Sequence, residues 1–353
     1  MGIKRKRNSQ DNNRKEVVLE QLQVNALERY QFKVESSSLE NSLSFVEKPT
    51  GEDLKREVNL YEALASEDES SRLHAANHII SGLLGNEVSS ESTILRHLER
   101  RLLRGLASGR KGARIGYSIV LTEIFSQIFG TDNTLAQKKY PNLQFEKILL
   151  LLKLKTKPEG DCGGQEIKDH AIGLLFGLQC FVRAKFLFQN TDHWKLVLLE
   201  IFGLAKKKPW IREECGWIIV EAVEQMDENQ ALITLTLLND QGFSKSPEGV
   251  GIWLTIRNKF TSLQPLSLPK VWGTSANPLD HLQDLSISLK EGSKHEKGCE
   301  NSGEVQHANL TSNWNAKLHF VWDIILNQFT IRFKNAESSC EPDFSRFWTI
   351  AVD

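Results

Sequence analysis

The chain has 353 residues, of which 40% are hydrophobic and 25% charged, and its 44 basic and 45 acidic side chains leave a formal net charge of −1. This composition is typical of a folded protein with an apolar core, and it excludes collagen-like and low-complexity classes. Because the charges nearly cancel, any affinity for a polyanion must come from the distribution of charge along the chain.

The N-terminal residues carry a cluster of cations, Lys4, Arg5, Lys6 and Arg7. A short exposed cation cluster in a flexible tail is what a nuclear import receptor recognises. We predict that residues 1–50 form a flexible basic tail and lead-in and that these four residues direct import into the nucleus. The alternative is a solvated basic terminus.

Apolar residues recur three and four apart from about residue 52 to 260, which predicts helices with short breaks between them. Strand-like alternation is nearly absent, so the helices must bury their apolar stripes against one another. The predicted fold is an all-α, HEAT/armadillo-like solenoid over residues 51–260, and a compact irregular helical domain is the alternative. Ten helices are predicted, over residues 52–65, 71–85, 91–107, 112–129, 143–155, 166–189, 192–206, 209–226, 229–239 and 247–260.

Two features indicate which parts of this helical region are buried. The helix that starts at Gly112 is apolar almost all round, which predicts a central position, and Gly116 and Ser118 would let a neighbouring helix approach closely. Trp210 and Trp217 lie seven residues apart on one helix face, so we predict that both pack in the core.

The C-terminal part of the chain changes character. Residues 261–313 contain several prolines and then a polar run with too few apolar residues to fold, which predicts a Pro-containing loop and a disordered insertion. Helical patterning resumes in residues 314–353. We expect these residues to add further helices to the same solenoid and to end as if truncated.

The segment LRHLERRLLRGLASGRKGARIG, residues 95–116, carries seven Arg and Lys side chains and a single Glu. On a helix with about 100° between successive residues, His97 and the first four arginines form one arc, and the opposite apolar arc contains Ile94, Leu95, Leu98, Leu102 and Leu106. A ridge of cations that leads to a helix N-terminus suits a phosphate backbone. The predicted nucleic-acid-binding residues are Arg96, Arg100, Arg101, Arg104, Arg110, Lys111 and Arg114.

This basic segment has other interpretations. It could be a solvated face, it could pair with acidic residues of a neighbouring helix, or it could contact an acidic protein partner.

The sequence contains no motif that indicates catalysis or a cofactor. A nucleophile elbow, a phosphate-binding loop, an HExxH motif and a glycine-rich dinucleotide turn are all absent. His74 and His78 are spaced i, i+4, but no third ligand stands beside them, so we interpret them as helix-surface histidines. The five cysteines, odd in number and never spaced as CxxC, predict reduced thiols in an intracellular protein. No run approaches the roughly 18 apolar residues of a membrane span.

Five segments, in order between about residues 58 and 348, resemble the Myb-binding protein 1A / DNA polymerase phi family, whose fungal members are called DNA polymerase V. The segments are RLHAANHIISGLL, HLERRLLRGLASGRKGARIGYSIVLTEIF, KKKPWIREECGWIIVEAV, SPEGVGIWLTIRNKF and KLHFVWDIILNQF. The resemblance implies an armadillo-type nucleolar protein that acts in ribosome biogenesis and rRNA transcription. It also implies ribosomal DNA or rRNA as a partner, and transcription factors in some relatives. It covers only the N-terminal part of the family, whose members usually add an acidic segment and a basic C-terminal tail.

We therefore expect a non-enzymatic nucleolar scaffold that binds nucleic acid through the basic segment. One alternative is a protein-protein adaptor or transcription co-regulator that contacts acidic partners. The other is a DNA-directed DNA polymerase, as the family name suggests. A polymerase holds two metal ions with neighbouring carboxylates, and no DxD motif occurs in the chain.

Overall fold

The computed structural model describes residues 44–85, 89–130, 135–263 and 319–335, together with residue 345. All regular structure within these residues is helical. The α-helices are α1 (Gly51–Leu64), α2 (Glu69–Leu84), α3 (Glu91–His97, continued by a π-helical segment Leu98–Leu102 and an α-helical turn Leu103–Gly105), α4 (Lys111–Phe129), α5 (Leu135–Lys139), α6 (Phe145–Lys155), α7 (Gly164–Arg183), α8 (Thr191–Lys207), α9 (Arg212–Val223), α10 (Glu228–Asp240), α11 (Pro247–Lys259) and α12 (Phe320–Asn335).

Side-chain caps fix where several of these helices begin. The carboxylate of Asp68 accepts the Ser71 amide before α2, and Ser90 accepts the Thr93 amide before α3. Asp227 begins α10 with a capping box, in which its side chain accepts the Gln230 amide while the Gln230 side chain returns to the Asp227 amide. Such caps satisfy amides that have no partner inside the helix. The predicted starts of these three helices, at residues 71, 91 and 229, agree with the structure to within two residues.

The helices pack in an alternating order. Helices α2, α4, α7, α9, α11 and α12 contact one another in that sequence, whereas α1, α3, α6, α8 and α10 pack against members of this row. The all-α prediction is confirmed, and the solenoid arrangement stays a prediction. Large side chains fill the space between the helices, among them the fully buried Trp194, Trp253, Phe125 and Phe181.

The predicted central position of α4 is confirmed. This helix contacts α1, α2, α3, α5 and α7, and Gly116 lies against the backbone of α1. A Cβ atom at Gly116 would overlap the carbonyl oxygen of Leu64. The missing side chain therefore sets how closely α4 and α1 approach each other.

The prediction that Trp210 and Trp217 are buried is wrong, because these residues are 44% and 46% exposed. Trp210 lies in a 3₁₀ turn, Pro209–Ile211, which precedes α9 and changes the helical phase assumed for a continuous helix. Ile211 and Cys215 take the inward positions instead. Trp217 contacts the ring of Phe320 edge-on, with centroids 5.7 Å apart.

Some predictions fall outside the described residues. These are the basic N-terminal cluster Lys4, Arg5, Lys6 and Arg7 and almost all of the predicted insertion, residues 261–313. In the described part of the chain, α5 is a helix that the apolar pattern did not predict. None of the helices in that part is long and apolar enough to cross a bilayer.

Candidate nucleic-acid interface

The basic segment begins in α3, which changes its helical geometry at its centre. The amide of Leu103 donates to the carbonyl of Leu98, five residues earlier, and this bond defines the π-helical segment Leu98–Leu102. A π-helical turn rotates the residues that follow it relative to a uniform α-helix. Leu103, which the uniform wheel placed outside the apolar arc, is fully buried together with Leu102 and Leu106.

Five of the seven predicted cations are exposed. They lie on α3 and on the turn into α4, and we call them the basic surface: Arg100, Arg101, Arg104, Arg110 and Lys111. Among the residues that the structure describes, no carboxylate lies within salt-bridge distance of these side chains. The Arg101 guanidinium lies 5.7 Å from the Tyr61 ring centroid, a cation–π contact that helps to hold it in place.

Arg96 faces the protein and not the solvent. Its two terminal nitrogens donate to the two oxygens of Glu57, over 2.8 and 2.7 Å, and one of them also donates to the carbonyl of Val46. Glu57 is only 1% exposed. This bidentate pair joins α3 to α1, so the predicted ridge of Arg96, Arg100 and Arg104 does not form a continuous exposed row.

His97, predicted on the exposed arc, is completely buried beside this pair. Its Nδ1 lies 2.7 Å from the Tyr61 hydroxyl, and its Nε2 lies 3.0 Å from an Arg96 nitrogen. The same Nε2 also lies 3.5 Å from a Glu57 oxygen. Burial lowers the pKa of His97, against the opposing effect of the Glu57 carboxylate. The exposed position was predicted wrongly because α1 packs alongside this face of α3.

The Glu57 carboxylate stays ionised in this site. Burial raises its pKa, but hydrogen bonds from Arg96 and His97 and their charges lower it by more, to about 2. Glu57, Arg96, His97 and Tyr61 form a buried polar network beside the basic surface, in which the Nε of Arg96 has no hydrogen-bond partner. No sequence signal identified Glu57 or Tyr61, since their role depends on contacts 36 to 39 residues away along the chain.

Carboxylates from other parts of the fold contact the turn into α4 and the first residues of α4. The Gly112 amide donates to the Glu67 carboxylate over 3.2 Å. The sequence suggested that amides at this helix N-terminus would bind an external anion, but the Gly112 amide is already occupied. Arg114 is half-buried; it donates to the Ser108 carbonyl and lies 3.4 Å from an Asp169 oxygen. Arg114 therefore supports the turn, while Arg110 and Lys111 remain exposed.

The paired histidines of α2 lie close together. The Nε2 atoms of His74 and His78 are 3.1 Å apart, and burial and the neighbouring His74 lower the pKa of His78. Across the described residues, no group of three or more His, Cys, Asp or Glu side chains is arranged to hold a metal ion.

A family model described as DNA polymerase phi matches residues 97–353, a range that contains the whole basic surface. The chain belongs to the DNA polymerase phi family. The resemblance seen in the five sequence segments is thus confirmed.

Curated relatives of this family member carry other names. The rDNA transcriptional regulator pol5 of Schizosaccharomyces pombe is 28% identical over 309 residues, covering 85% of this chain and 29% of the relative. The rDNA transcriptional regulator POL5 of Saccharomyces cerevisiae is 24% identical over 331 residues, covering 84% of this chain and 32% of the relative. A Myb-binding protein 1A-like protein of Danio rerio is 25% identical over 217 residues, covering 60% of this chain and 16% of the relative.

The chain thus spans about a third or less of the length of these relatives. No solved structure matches it. The two fungal relatives are named as transcriptional regulators, whereas the family is named after a polymerase.

Proposed function

We propose that this chain is a non-enzymatic helical part of a nuclear regulator of rDNA transcription, and that it contacts ribosomal DNA or rRNA in the nucleolus through the basic surface. The names of the fungal relatives support the role in rDNA transcription. The observation that carries the contact is the group of five exposed cations, Arg100, Arg101, Arg104, Arg110 and Lys111, on one helix and the turn after it.

The chemistry of this surface favours phosphate as its ligand. Four of its five cations are arginines, whose planar guanidinium groups bind phosphate oxygens in a bidentate manner. The chain as a whole carries a net charge of −1, so the local positive potential at this surface comes from the clustering of these five cations. Contacts of this kind position a nucleic acid and do not read its sequence.

Charge reversal with a matched control tests the proposal. The triple variant Arg100→Glu, Arg104→Glu and Lys111→Glu should bind an rDNA duplex and an rRNA fragment at least about tenfold more weakly in fluorescence anisotropy. The control, Lys138→Glu, Lys139→Glu and Lys245→Glu, changes the net charge equally at exposed positions elsewhere. Equal affinities of the two variants would overturn the assignment of the contact to the basic surface.

The non-enzymatic part of the proposal has its own test. The relatives' names and the absence of a DxD motif in the sequence support it. Purified protein with a primed template, magnesium ions and nucleotides should extend no primer above background. Extension that persists through repurification and depends on magnesium would establish the polymerase alternative.

Nuclear entry is proposed to depend on Lys4, Arg5, Lys6 and Arg7. Replacing these four residues with alanine should move a fluorescent fusion towards the cytosol. An unchanged nucleolar signal would assign import to another segment or to a partner.

A further inference from the structure

Four leucines are exposed on the outer faces of α6 and α8. Leu150 and Leu154 of α6 are 66% and 58% exposed, and Leu196 and Leu199 of α8 are 40% and 43% exposed. Both helices bury another face in the core, with side chains such as Ile148 and Val197. These leucines are therefore not needed to attach the two helices to the rest of the fold.

A histidine–carboxylate contact and an ion pair join α6 to α8. His193 lies 3.1 Å from Glu146, and Lys153 lies 2.5 Å from Glu200. Both pairs join residues 47 apart in the chain, so the two helices run parallel and in the same register. Leu150 lies between the paired residues of α6, and Leu196 and Leu199 lie between those of α8. The four leucines therefore lie at matching positions on the exposed sides of two helices joined by these contacts, and we call them the leucine patch.

The charge around the leucine patch is positive. Helices α6 and α8 together contain six lysines and three acidic residues. Each of those acids already has a partner: Glu200 pairs with Lys153, Asp192 pairs with Lys195, and Glu146 contacts the His193 ring. Lys147 and Lys207 are exposed, and no carboxylate of the described residues forms a salt bridge with them. A ligand for the patch should combine apolar side chains with negative charge.

We propose that the leucine patch docks an amphipathic helix of a protein partner, with leucine-class side chains spaced i, i+3 or i+4, and i+7, and with acidic residues along its edges. Apolar anchors at this spacing are the usual basis on which an amphipathic helix docks to an apolar surface. Exposed apolar surface rimmed by charged residues commonly marks such an interface. This partner helix would bind α6 and α8, whereas the proposed nucleic-acid contact uses α3 and the turn into α4.

The charge of the patch also argues against a second copy of the same chain as its occupant. Two identical copies related by a twofold axis would bring the same lysine-rich surface together, and like charges in an interface oppose association. An acidic helix meets no such repulsion.

A synthetic peptide supplies the test. The probe is a fluorescein-labelled peptide of about 18 residues with leucines at the stated spacing and glutamates on the flanks. The full chain should bind it saturably. The double variant Leu150→Gln and Leu196→Gln should bind it at least about tenfold more weakly. Leu54→Gln, a control at a leucine of α1 with 43% exposure, should change the affinity by less than about twofold.

A second variant tests the charge without touching the leucines. Lys147→Glu with Lys207→Glu should weaken binding of the acidic peptide and strengthen binding of the same peptide with lysines on its flanks. Thermal unfolding should show that every variant retains the fold, because the substituted positions are exposed.

Three results would overturn the proposal. The first is no saturable binding of the acidic peptide up to about 100 μM. The second is equal binding of a scrambled peptide of the same composition. The third is a wild-type dimer in sedimentation that the leucine double variant dissociates, because a second copy would then occupy the patch.

Discussion

Glu57 is the residue next to the basic surface whose ionisation matters most for the fold. Its carboxylate is almost inaccessible to water, yet its pKa of about 2 keeps it charged at neutral pH. A buried charge is tolerated only when a partner of opposite charge and hydrogen bonds compensate it. Arg96 supplies both, so a residue predicted to bind phosphate instead maintains the contact between α1 and α3.

Arg96→Ala should destabilise the protein by about 3 kcal/mol, because it leaves the Glu57 carboxylate buried without its cation. Urea unfolding monitored by circular dichroism measures the change. Arg100→Ala, at an exposed position of the same helix, should alter the free energy of unfolding by no more than about 0.5 kcal/mol. If the two variants were equally stable, Arg96 would have no structural role.

Acid should destabilise the fold in two steps. The pKa of Glu57 is about 2 in the folded protein against an ordinary value of 4.5, so its contribution is present above pH 4.5 and is lost as the pH falls towards 2. Burial lowers the pKa of His97 below its ordinary 6.5. The unfolded chain therefore takes up that proton more readily, and stability also falls as the pH drops below 6.5.

The urea midpoint should accordingly decrease from pH 6.5 downwards and continue to decrease below pH 4.5. Glu57→Gln should flatten the part of the profile below pH 4.5, although Glu248, whose pKa is also lowered to about 2, keeps a remaining slope. An unaltered profile in this variant would show that Glu57 does not titrate as described.

At the scale of the helices, the apolar period predicted the ten helices from α1 to α11 other than α5. It succeeded because each of these helices buries one stripe and begins at a cap or a turn that can be read in the sequence. It failed where the backbone departs from a uniform α-helix. The π-helical segment Leu98–Leu102 and the 3₁₀ turn Pro209–Ile211 each shift the phase, which misplaced Leu103 and Trp210.

The candidate sites were less predictable than the fold. The exposed cations of the basic surface could be named from sequence, but the separation of Arg96 and Arg114 from them depends on Glu57 and Asp169, which lie 39 and 55 residues away in the chain. The run LLLLKLK in α6 contains more leucines than one buried stripe can use. That excess is the one sequence signal that could have indicated the leucine patch.

The close approach of α4 and α1 gives a prediction for glycine. Gly116→Ala should cost about 2 kcal/mol or more, because the new Cβ overlaps the Leu64 carbonyl oxygen and forces the two helices apart. Gly203→Ala in α8 is the matched change, since nothing lies within 4 Å of its added Cβ, and it should stabilise the protein by about 0.5–1 kcal/mol. Equal effects of the two changes in thermal unfolding would contradict this account of the packing.

At the scale of the whole molecule, the two proposed contact surfaces lie on different helices. The basic surface lies on α3 and the turn into α4, and the leucine patch lies on α6 and α8. If both proposals hold, a nucleic acid and a protein partner could bind at the same time, because the two surfaces share no residue. The central claim is that the five cations of the basic surface contact phosphates.

The salt dependence of binding tests that claim most directly. If all five cations engage, the affinity for an rDNA duplex should fall with salt along a log-log slope of about −4.5, and for single-stranded rRNA along a slope of about −3.5. The variant Arg100→Glu, Arg104→Glu and Lys111→Glu should flatten the duplex slope by at least about 2.7, whereas the control reversal of Lys138, Lys139 and Lys245 should leave it near the wild-type value. A slope that is the same in the wild type and both variants would contradict the account, because the basic surface would then release no counterions on binding.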